Sequence, residues 1–479
     1  MQLPVSEVAT ILESTYSGDK QVAQGYTLDS RRVRPGEFFF AIRGQRLDGH
    51  QFVQQAIEAG AVAAVVEPAF LEQHPSLASR LIPVPDTTRA LQVLAQEVRR
   101  RWGKKLIAIT GSTGKTTTKE LTAALLATQY AVHKSRGNLN NQYGVPLTLL
   151  ELEPRHEVAV LELAMSAAGE IARLAQMAEP DIGVVTNVAA AHLQSFNSVE
   201  EIARAKRELI ENLNPRCVET VAVLNHDDPR VKHFGDGFPG RVVTFGREAG
   251  ADFIASEIKS AGGQGTTFRV TGPSLNAQFQ LSLPGEHNIE NALAAIATAS
   301  LLGVPPEAMV QELATSKNLP GRSEILTLPG GITVINDSYN SNPRAMEKML
   351  QMLAEWPGAQ RRIVVAGEML ELGSTSPEWH RAVGRKCAEC GVDCLFAVQG
   401  HAVFFLEGAR ENGMAASQLC FFATALEAAE YCRTHLREGD VVLVKGSRAV
   451  GLEAVIELLI NPVSSSPATP HPAASTRAE

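Results

Sequence analysis

The chain has 479 residues, 44% of them hydrophobic, and a formal charge of −8 at pH 7. That length gives room for about three domains with cores of their own, and the acidic balance argues against nucleic acid or an anionic membrane as a partner. The opening MQLPVSEVATILES has no basic residue and carries Glu7 in its apolar stretch, no apolar run is long enough to span a bilayer, and six cysteines in such a chain point to reduced thiols in a cytosol.

Residues 1–100 read as a small α/β unit. The segments 36–42 (GEFFFAI) and 61–66 predict strands around a helix over 51–59, with Asp48 as its cap and Gly60 beyond its end. The arginine-rich segment 99–101 marks the boundary to a second unit, residues 101–318, where strands and helices alternate as in a mostly parallel sheet.

That unit opens on LIAITGSTGKTTTKE, residues 106–120. A buried strand (106–109) enters a loop with two glycines, a lysine and a row of threonines, and a helical pattern follows. This is a phosphate-binding loop. Gly111 and Gly114 let backbone N–H groups, among them those of Ser112 and Thr113, approach a polyphosphate. Lys115 neutralises its charge, Thr116 offers a hydroxyl to Mg²⁺, and Thr117 continues the loop into a helix whose positive end faces the anion. The loop is shorter than G-x-x-x-x-G-K-[ST], because Ile109 stands where the first glycine would be. An ordinary strand-to-helix turn is the competing reading, and the agreement of strand, loop and helix disfavours it.

Further strands are predicted at 158–163 and 182–188. Ser198 with Glu201 makes a capping box for the helix that carries Lys206. Residues 251–283 alternate in short segments like a β-rich insertion, and 284–302 contain a long apolar helix. A third unit, 319–461, has strands at 334–336, 363–366, 395–398 and 441–444 with amphipathic helices between them. That is a Rossmann-like alternation without G-x-G-x-x-G. The Ser/Pro/Ala-rich residues 462–479 have the composition of a disordered tail. Cys387, Cys390 and Cys394 resemble part of a zinc site, but they straddle a predicted helix end and strand and lack a suitably spaced fourth ligand.

Three side chains belong with the phosphate loop. Glu162 ends a strand, where α/β proteins bind ligands; His192 follows the next strand; Lys206 lies in the helix after it. Glu162 and His192 suit Mg²⁺, directly or through water. Taken singly, a strand-end acid, a loop histidine and a helix lysine have ordinary structural readings. Their order after a phosphate loop makes them a candidate site.

The segments TGSTGKTTT, LELAMSAAGEI, TNVAAAHL, ARAK, LPGEHNIENALAA, LPGRSE and NDSYNSNP stand in the order found in the Mur ligases of peptidoglycan synthesis. The chain resembles that family from DSRRVRPGEFFFAIRGQRLDGH near its start through everything but the tail. NDSYNSNPRAM, GEMLELG and GNLNNQYGVPLTLL are similar to the branch that adds a dipeptide. The resemblance implies an α/β protein of three domains: an N-terminal UDP-substrate domain, a central P-loop ATPase-like domain and a C-terminal Rossmann-like domain. It implies an ATP-dependent amide ligase that joins D-alanyl-D-alanine to a UDP-N-acetylmuramoyl tripeptide through an acyl phosphate, in the cytoplasm and as a monomer.

It also implies residue roles. Lys206 is expected to carry a CO₂-derived carbamate that binds the second of two Mg²⁺ ions, with His192 and Glu162 completing the metal environment. ATP contacts are expected from His287, Asn288 and Asn291, with Asn291 at adenine, and from Arg322 and Asp337 at phosphate and ribose. Asn336, Tyr339 and Asn340 are expected to line the site. Ser30 and Arg31 would grip the UDP end, and Asn138, Asn140 and Asn141 would orient the acceptor peptide. Lys445, Ser447 and Arg448 would receive the dipeptide carboxylate. Helix capping at Asn288 and Asn291, and turn chemistry around Asn336–Asn340, are the competing structural readings.

Two departures stand out. Ala164, Met165 and Ser166 occupy positions where the family often has glycine and asparagine or histidine. SNPR at 341–344 belongs to NDSYNSNP and is not the clamp of the diaminopimelate-adding ligases; AVQGHAVFF stands where that clamp is expected. The alternatives are a diamino-acid-adding ligase of the same family, which lacks NDSYNSNP with GEMLELG, and a nucleotide switch, which has no use for Lys206 and His192.

Overall fold

The computed structural model describes residues 1–461 apart from 19–20, 45–46, 191–193, 218, 261 and 318. Three sheets follow one another along the chain. β1–β4 (Gly25–Thr27, Glu37–Phe40, Ala63–Val66 and Leu81–Pro83) form a parallel sheet in sequential order. The next nine strands, β5–β13, are Lys105–Thr110, Val132–Lys134, Val158–Glu162, Ile182–Val185, Val221–Asn225, Arg241–Gly246, Phe253–Ser260, Thr266–Gly272 and Leu275–Leu281. They make one sheet in the order β13-β12-β11-β10-β9-β8-β5-β7-β6. β14–β19 (Glu324–Leu328, Ile332–Asp337, Arg361–Gly367, Cys394–Val398, Leu419–Phe422 and Asp440–Lys445) make a third, ordered β14-β15-β19-β16-β17-β18.

The central strands are apolar because helices cover both faces of a parallel sheet. β3 (AAVV), β7 (VAVLE) and β8 (IGVV) are buried at every position. β5 lies between β7 and β8, and the strand order reverses about it. The crevice at the carboxyl ends of such strands is the usual ligand position, and residues 111–114 sit in it.

Several elements differ from the sequence reading. At the expected first boundary, Arg99–Arg101 are helical. They form the last turn of the helix Thr87–Trp102, which Asp86 caps by accepting from Arg89 N at 2.9 Å and Gly103 ends at φ 65°. The β-rich stretch is no insertion: β12 and β13 extend the central sheet as an antiparallel edge beyond β11. The third unit has two strands more than were read, because β14 is a short, half-exposed edge and β18 has only four residues. The expected 51–59 helix begins as a 3₁₀ turn, Gly49–Phe52, with Asp48 accepting from His50 N, and becomes α-helical at Val53–Glu58. At the helix Val199–Glu211, Ser198 Oγ accepts from Glu201 N, but the Glu201 carboxylate accepts from Asn197 N and not from Ser198. The tail lies outside the described residues. No described helix is long and apolar enough to cross a membrane.

Candidate active site

The helix Lys115–Ala127 starts directly after Gly114, which has φ 81°. A Cβ at Gly114 would lie 2.1 Å from Asn291 Oδ1, and one at Gly111 would lie 1.9 Å from Thr186 Oγ1. Only glycine fits either place. The turn is braced by the residue pair after β8: Asn187 Oδ1 accepts from Thr113 N and Thr113 Oγ1, each at 3.0 Å, and Asn187 O accepts from Ser112 N at 2.9 Å. Lys115 Nζ folds back onto Gly111 O at 2.8 Å. Burial is the main influence lowering its pKa; Arg322 acts in the same direction, while Glu162 and Glu371 oppose it.

Thr116 Oγ1 donates to Glu162 Oε2 at 2.8 Å, and Asn140 Nδ2 donates to Oε1 at 2.8 Å. A hydroxyl and a buried carboxylate therefore stand side by side at the start of the helix. Among the described residues no group of three or more His, Cys, Asp and Glu could hold a metal ion. The Thr116–Glu162 pair nevertheless offers two hard oxygens, which fits an Mg²⁺ that takes its other ligands from phosphate and water. Lys206 is 2% exposed and lies outside the cavity lining. Burial, with a smaller effect from Lys115, pushes its pKa well below that of a free lysine. His192 lies outside the described residues.

The helix His287–Leu301 approaches the loop from the other side. Asn288 Nδ2 donates to Pro284 O at 2.8 Å, and Asn291 Nδ2 donates to Asn288 Oδ1 at 3.0 Å. Neither residue caps the helix; Glu286 holds the N-cap position, with no side-chain bond. Burial pushes His287 down to about 4, so its ring is neutral. The third unit closes the site. A cavity of about 520 Å³ is lined by residues 112–117, Asn138, Glu162 and the His287 helix on one side and by Arg322, Asp337, Tyr339, Asn340 and Arg448 on the other.

The chain matches the Mur ligase family catalytic domain over residues 23–99, the Mur ligase middle domain over 109–299 and the glutamate ligase domain of Mur ligases over 321–448. It is 35% identical to the UDP-N-acetylmuramoyl-tripeptide–D-alanyl-D-alanine ligase of Escherichia coli, with 96% of this chain and 98% of that one covered. It is 34% identical to the ligase of the same name from Bacillus subtilis, with 95% and 98% covered. The chain belongs to the Mur ligase family. Among solved structures it is similar to MurF from Acinetobacter baumannii, with a TM-score of 0.86, 31% identity, and 96% of this chain and 99% of that one covered. It is also similar to the Thermotoga maritima MurF ligase in complex with ADP, with a TM-score of 0.79, 30% identity, and 91% and 97% covered. These full-length likenesses put this Mur ligase in the MurF branch.

Three sequence expectations need correction within the Mur ligase site. Asn336 does not line the cavity: its amide donates to Glu324 at 2.8 Å and its Oδ1 accepts from Ser338 Oγ at 2.7 Å. Asn141 does not line it either, because its Oδ1 accepts from Tyr143 N and Gly144 N and shapes the next helix start. Asn140 is the asparagine that touches Glu162. Lys445 lines the cavity but is no open carboxylate receptor: it is 3% exposed and its Nζ donates to Asp337 Oδ2 at 2.5 Å and to Asn340 O at 2.8 Å, so Asp337 is engaged as well. Ser30 and Arg31, expected at the UDP end and not in this cavity, lie in the first unit, Ser30 donating to Gln55 and Arg31 pairing with Asp29.

Other lining residues escaped the sequence reading. Asn187 follows a strand and carries no charge that singles it out. Glu290 and Lys348, 3.1 Å apart, lie on different units and meet only in the fold. Leu370, Glu371 and Leu372 belong to GEMLELG, a segment whose sequence points to no role for them; Met369 N donates to the buried His380 Nε2 at 3.0 Å and Leu370 N to Ser447 Oγ at 2.9 Å, which pins their loop.

Proposed function

We propose that this chain uses ATP to join D-alanyl-D-alanine to UDP-N-acetylmuramoyl tripeptide, giving the UDP-muramoyl pentapeptide. The observation that carries this reading is the single cavity in which a phosphate loop with its Thr116–Glu162 pair faces basic and polar residues of the third unit. The full-length likeness to ligases of that name supports the choice of substrates.

A carboxylate is a poor electrophile, so the γ-phosphoryl group is first transferred to it. The result is an acyl phosphate and ADP. Both reactants are anions; Lys115 and Arg322 lower their repulsion, and the backbone N–H groups of Gly114 and of the first helical turn after it would hold the phosphates, since those of Ser112 and Thr113 donate to Asn187. Mg²⁺, when bound, screens the phosphate oxygens and polarises the transferring group. Thr116 and Glu162 would hold the nucleotide's ion, and His192 with a carbamylated Lys206 a second. Burial without a described acid partner favours a neutral Lys206 amine, which is the form that adds to CO₂, and the resulting carbamate supplies a hard anionic oxygen. Asn291 would meet adenine, Ser30 and Arg31 the UDP end, and Arg448 the dipeptide carboxylate. The dipeptide amine then attacks the acyl carbon and phosphate leaves. Closure of the third unit on the other two would keep water from the acyl phosphate. A cytoplasmic location goes with this reading, since ATP and reduced thiols are found there.

The test is ADP release across a panel of UDP-muramoyl peptides and amines. D-Alanyl-D-alanine should be strongly preferred over D-alanine, meso-diaminopimelate or lysine, because a free amino acid leaves polar partners of the missing peptide group unpaired, at about 1–3 kcal/mol for each. Extension of a UDP-muramoyl dipeptide by a free diamino acid would overturn the branch while leaving ligase chemistry. Lys206→Ala should be nearly inactive and partly restored by acetate; full activity of the wild type after careful CO₂ depletion would count against the carbamate.

A further inference from the structure

Tyr339 stands between two cations. The Arg322 guanidinium carbon lies 4.1 Å from the centre of its ring and that of Arg448 lies 5.0 Å from it. All three residues line the cavity. Arg322 and Arg448 come from separate parts of the third unit, the turn before β14 and the 3₁₀ turn after β19. Neither guanidinium has a carboxylate at ion-pair distance among the described residues. Two like charges gathered on one ring with no acid between them repel each other. The ring's negative face offsets part of that repulsion and fixes where each fork of donors points. Tyr339 is itself fixed: its N–H donates to Gly321 O at 3.1 Å, so the ring and the turn carrying Arg322 form one piece. Gly321 has φ 71° and its missing Cβ would rest 3.5 Å from Tyr339 Cβ.

We propose that Tyr339 is a shared platform that aims Arg322 at the transferring phosphate and Arg448 at the carboxylate of the incoming dipeptide, so that one ring sets both substrate sites. This rests on the ligase reading above. Arg322 is the guanidinium that bears on the charge of Lys115, which puts it on the phosphate side. Arg448 is exposed at the mouth of the cavity, where a second anion enters. The platform is a positioning device, because the ring acts through the two arginines. A consequence is that nucleotide and dipeptide affinities change together when the ring changes, although each substrate touches a different arginine.

The experiment replaces Tyr339 with phenylalanine, with 3,4,5-trifluorophenylalanine and with leucine in the full-length enzyme. It reads KM for ATP, KM for D-alanyl-D-alanine, ADP affinity and melting temperature. Phenylalanine keeps the π face and should leave both KM values within about twofold. Trifluorination keeps the shape but removes the negative face, and should raise both KM values roughly two- to fivefold at unchanged melting temperature. Leucine should raise both at least as much. A rise in only one KM, no rise on fluorination, or a phenylalanine variant as impaired as the leucine variant would overturn the shared platform. Wild-type enzyme that binds ADP but adds no dipeptide would instead overturn the ligase reading, and the role given to Arg448 with it.

Discussion

The two joints of this molecule are built differently. Between the first unit and the central one, the helix Thr87–Trp102 is common property. Its Leu94 and Val98 share one continuous apolar core with Phe38 and Ile82 of the first sheet and with Leu149 and Leu174 of the central unit. Arg99, 3% exposed, donates to Ala178 O, Glu179 O and Asp181 Oδ2, and Arg100 pairs with Glu179 at 2.7 Å. Between the central unit and the third, the cores stay separate. Polar contacts cross this joint, Lys348 with Glu290 at 3.1 Å, Arg344 with Val188 O at 3.1 Å and Gln194 N with Glu371 O at 3.2 Å, and the apolar ones are few, such as Trp356 and Pro357 beside Gly262 and Gly263. A shared core cannot slide without exposing apolar surface, whereas polar contacts re-form with water at little cost. The first joint is therefore built as a weld, and the second is the joint able to act as a hinge. The cavity lies in the hinge, where closure can complete it.

The sharpest way to test that contrast is to separate activity from stability. Lys115→Ala, on the hinge side, should lower turnover by about 10³-fold or more, since it removes the cation at the transferring phosphate. Its melting temperature should stay close to that of the wild type. Near-normal ligation by this variant would remove the phosphate-loop assignment.

Arg99→Met attacks the weld. It leaves Asp181 and the carbonyls of Ala178 and Glu179 without their buried donor, and should cost about 3–5 kcal/mol in chemical denaturation. The refolded fraction should keep a normal KM for ATP. A loss below 1 kcal/mol would mean that the apolar core alone makes the joint.

Acid should act through the hinge side as well. Burial pushes His380 down to about 4, and its neutral Nε2 accepts from Met369 N beneath the cavity loop. The folded state keeps this ring neutral while the unfolded chain protonates it below about 6.5, so stability falls as pH drops from 6.5 toward 4. Between pH 6.5 and 5 the loss is about 1.5 kcal/mol. Urea titrations at the two pH values should show that loss in the wild type and a smaller one in His380→Gln.

The smallest effect is expected at the half-buried ion pair across the hinge. Lys348→Ala should change stability by less than about 1 kcal/mol. Scattering should show the full chain becoming more compact with an ATP analogue and UDP-peptide, and the variant closing less completely. An unchanged radius of gyration under saturating ligands would argue against closure.

The sequence by itself determined the three α/β units, the phosphate loop and the strand-end Glu162. Each is a local pattern: apolar runs that a two-sided parallel sheet demands, glycines where a loop must approach a phosphate, and a carboxylate where a strand stops. The family resemblance then attached roles to single residues. Tertiary structure decided what local pattern does not encode. Asn336, Asn140 and Asn141 look alike in the chain; only their partners show that Asn140 touches the buried Glu162 while the other two hold backbone or the half-buried Glu324. Arg99–Arg101 mark a unit boundary in the chain and look like solvated surface, yet Arg99 is buried against carbonyls and an aspartate about 80 residues away. Tyr339 reads as an aromatic in a turn until Arg322 and Arg448 arrive at its ring from opposite ends of the third unit. A side chain's type limits which partners it can take, and the path of the distant chain selects among them.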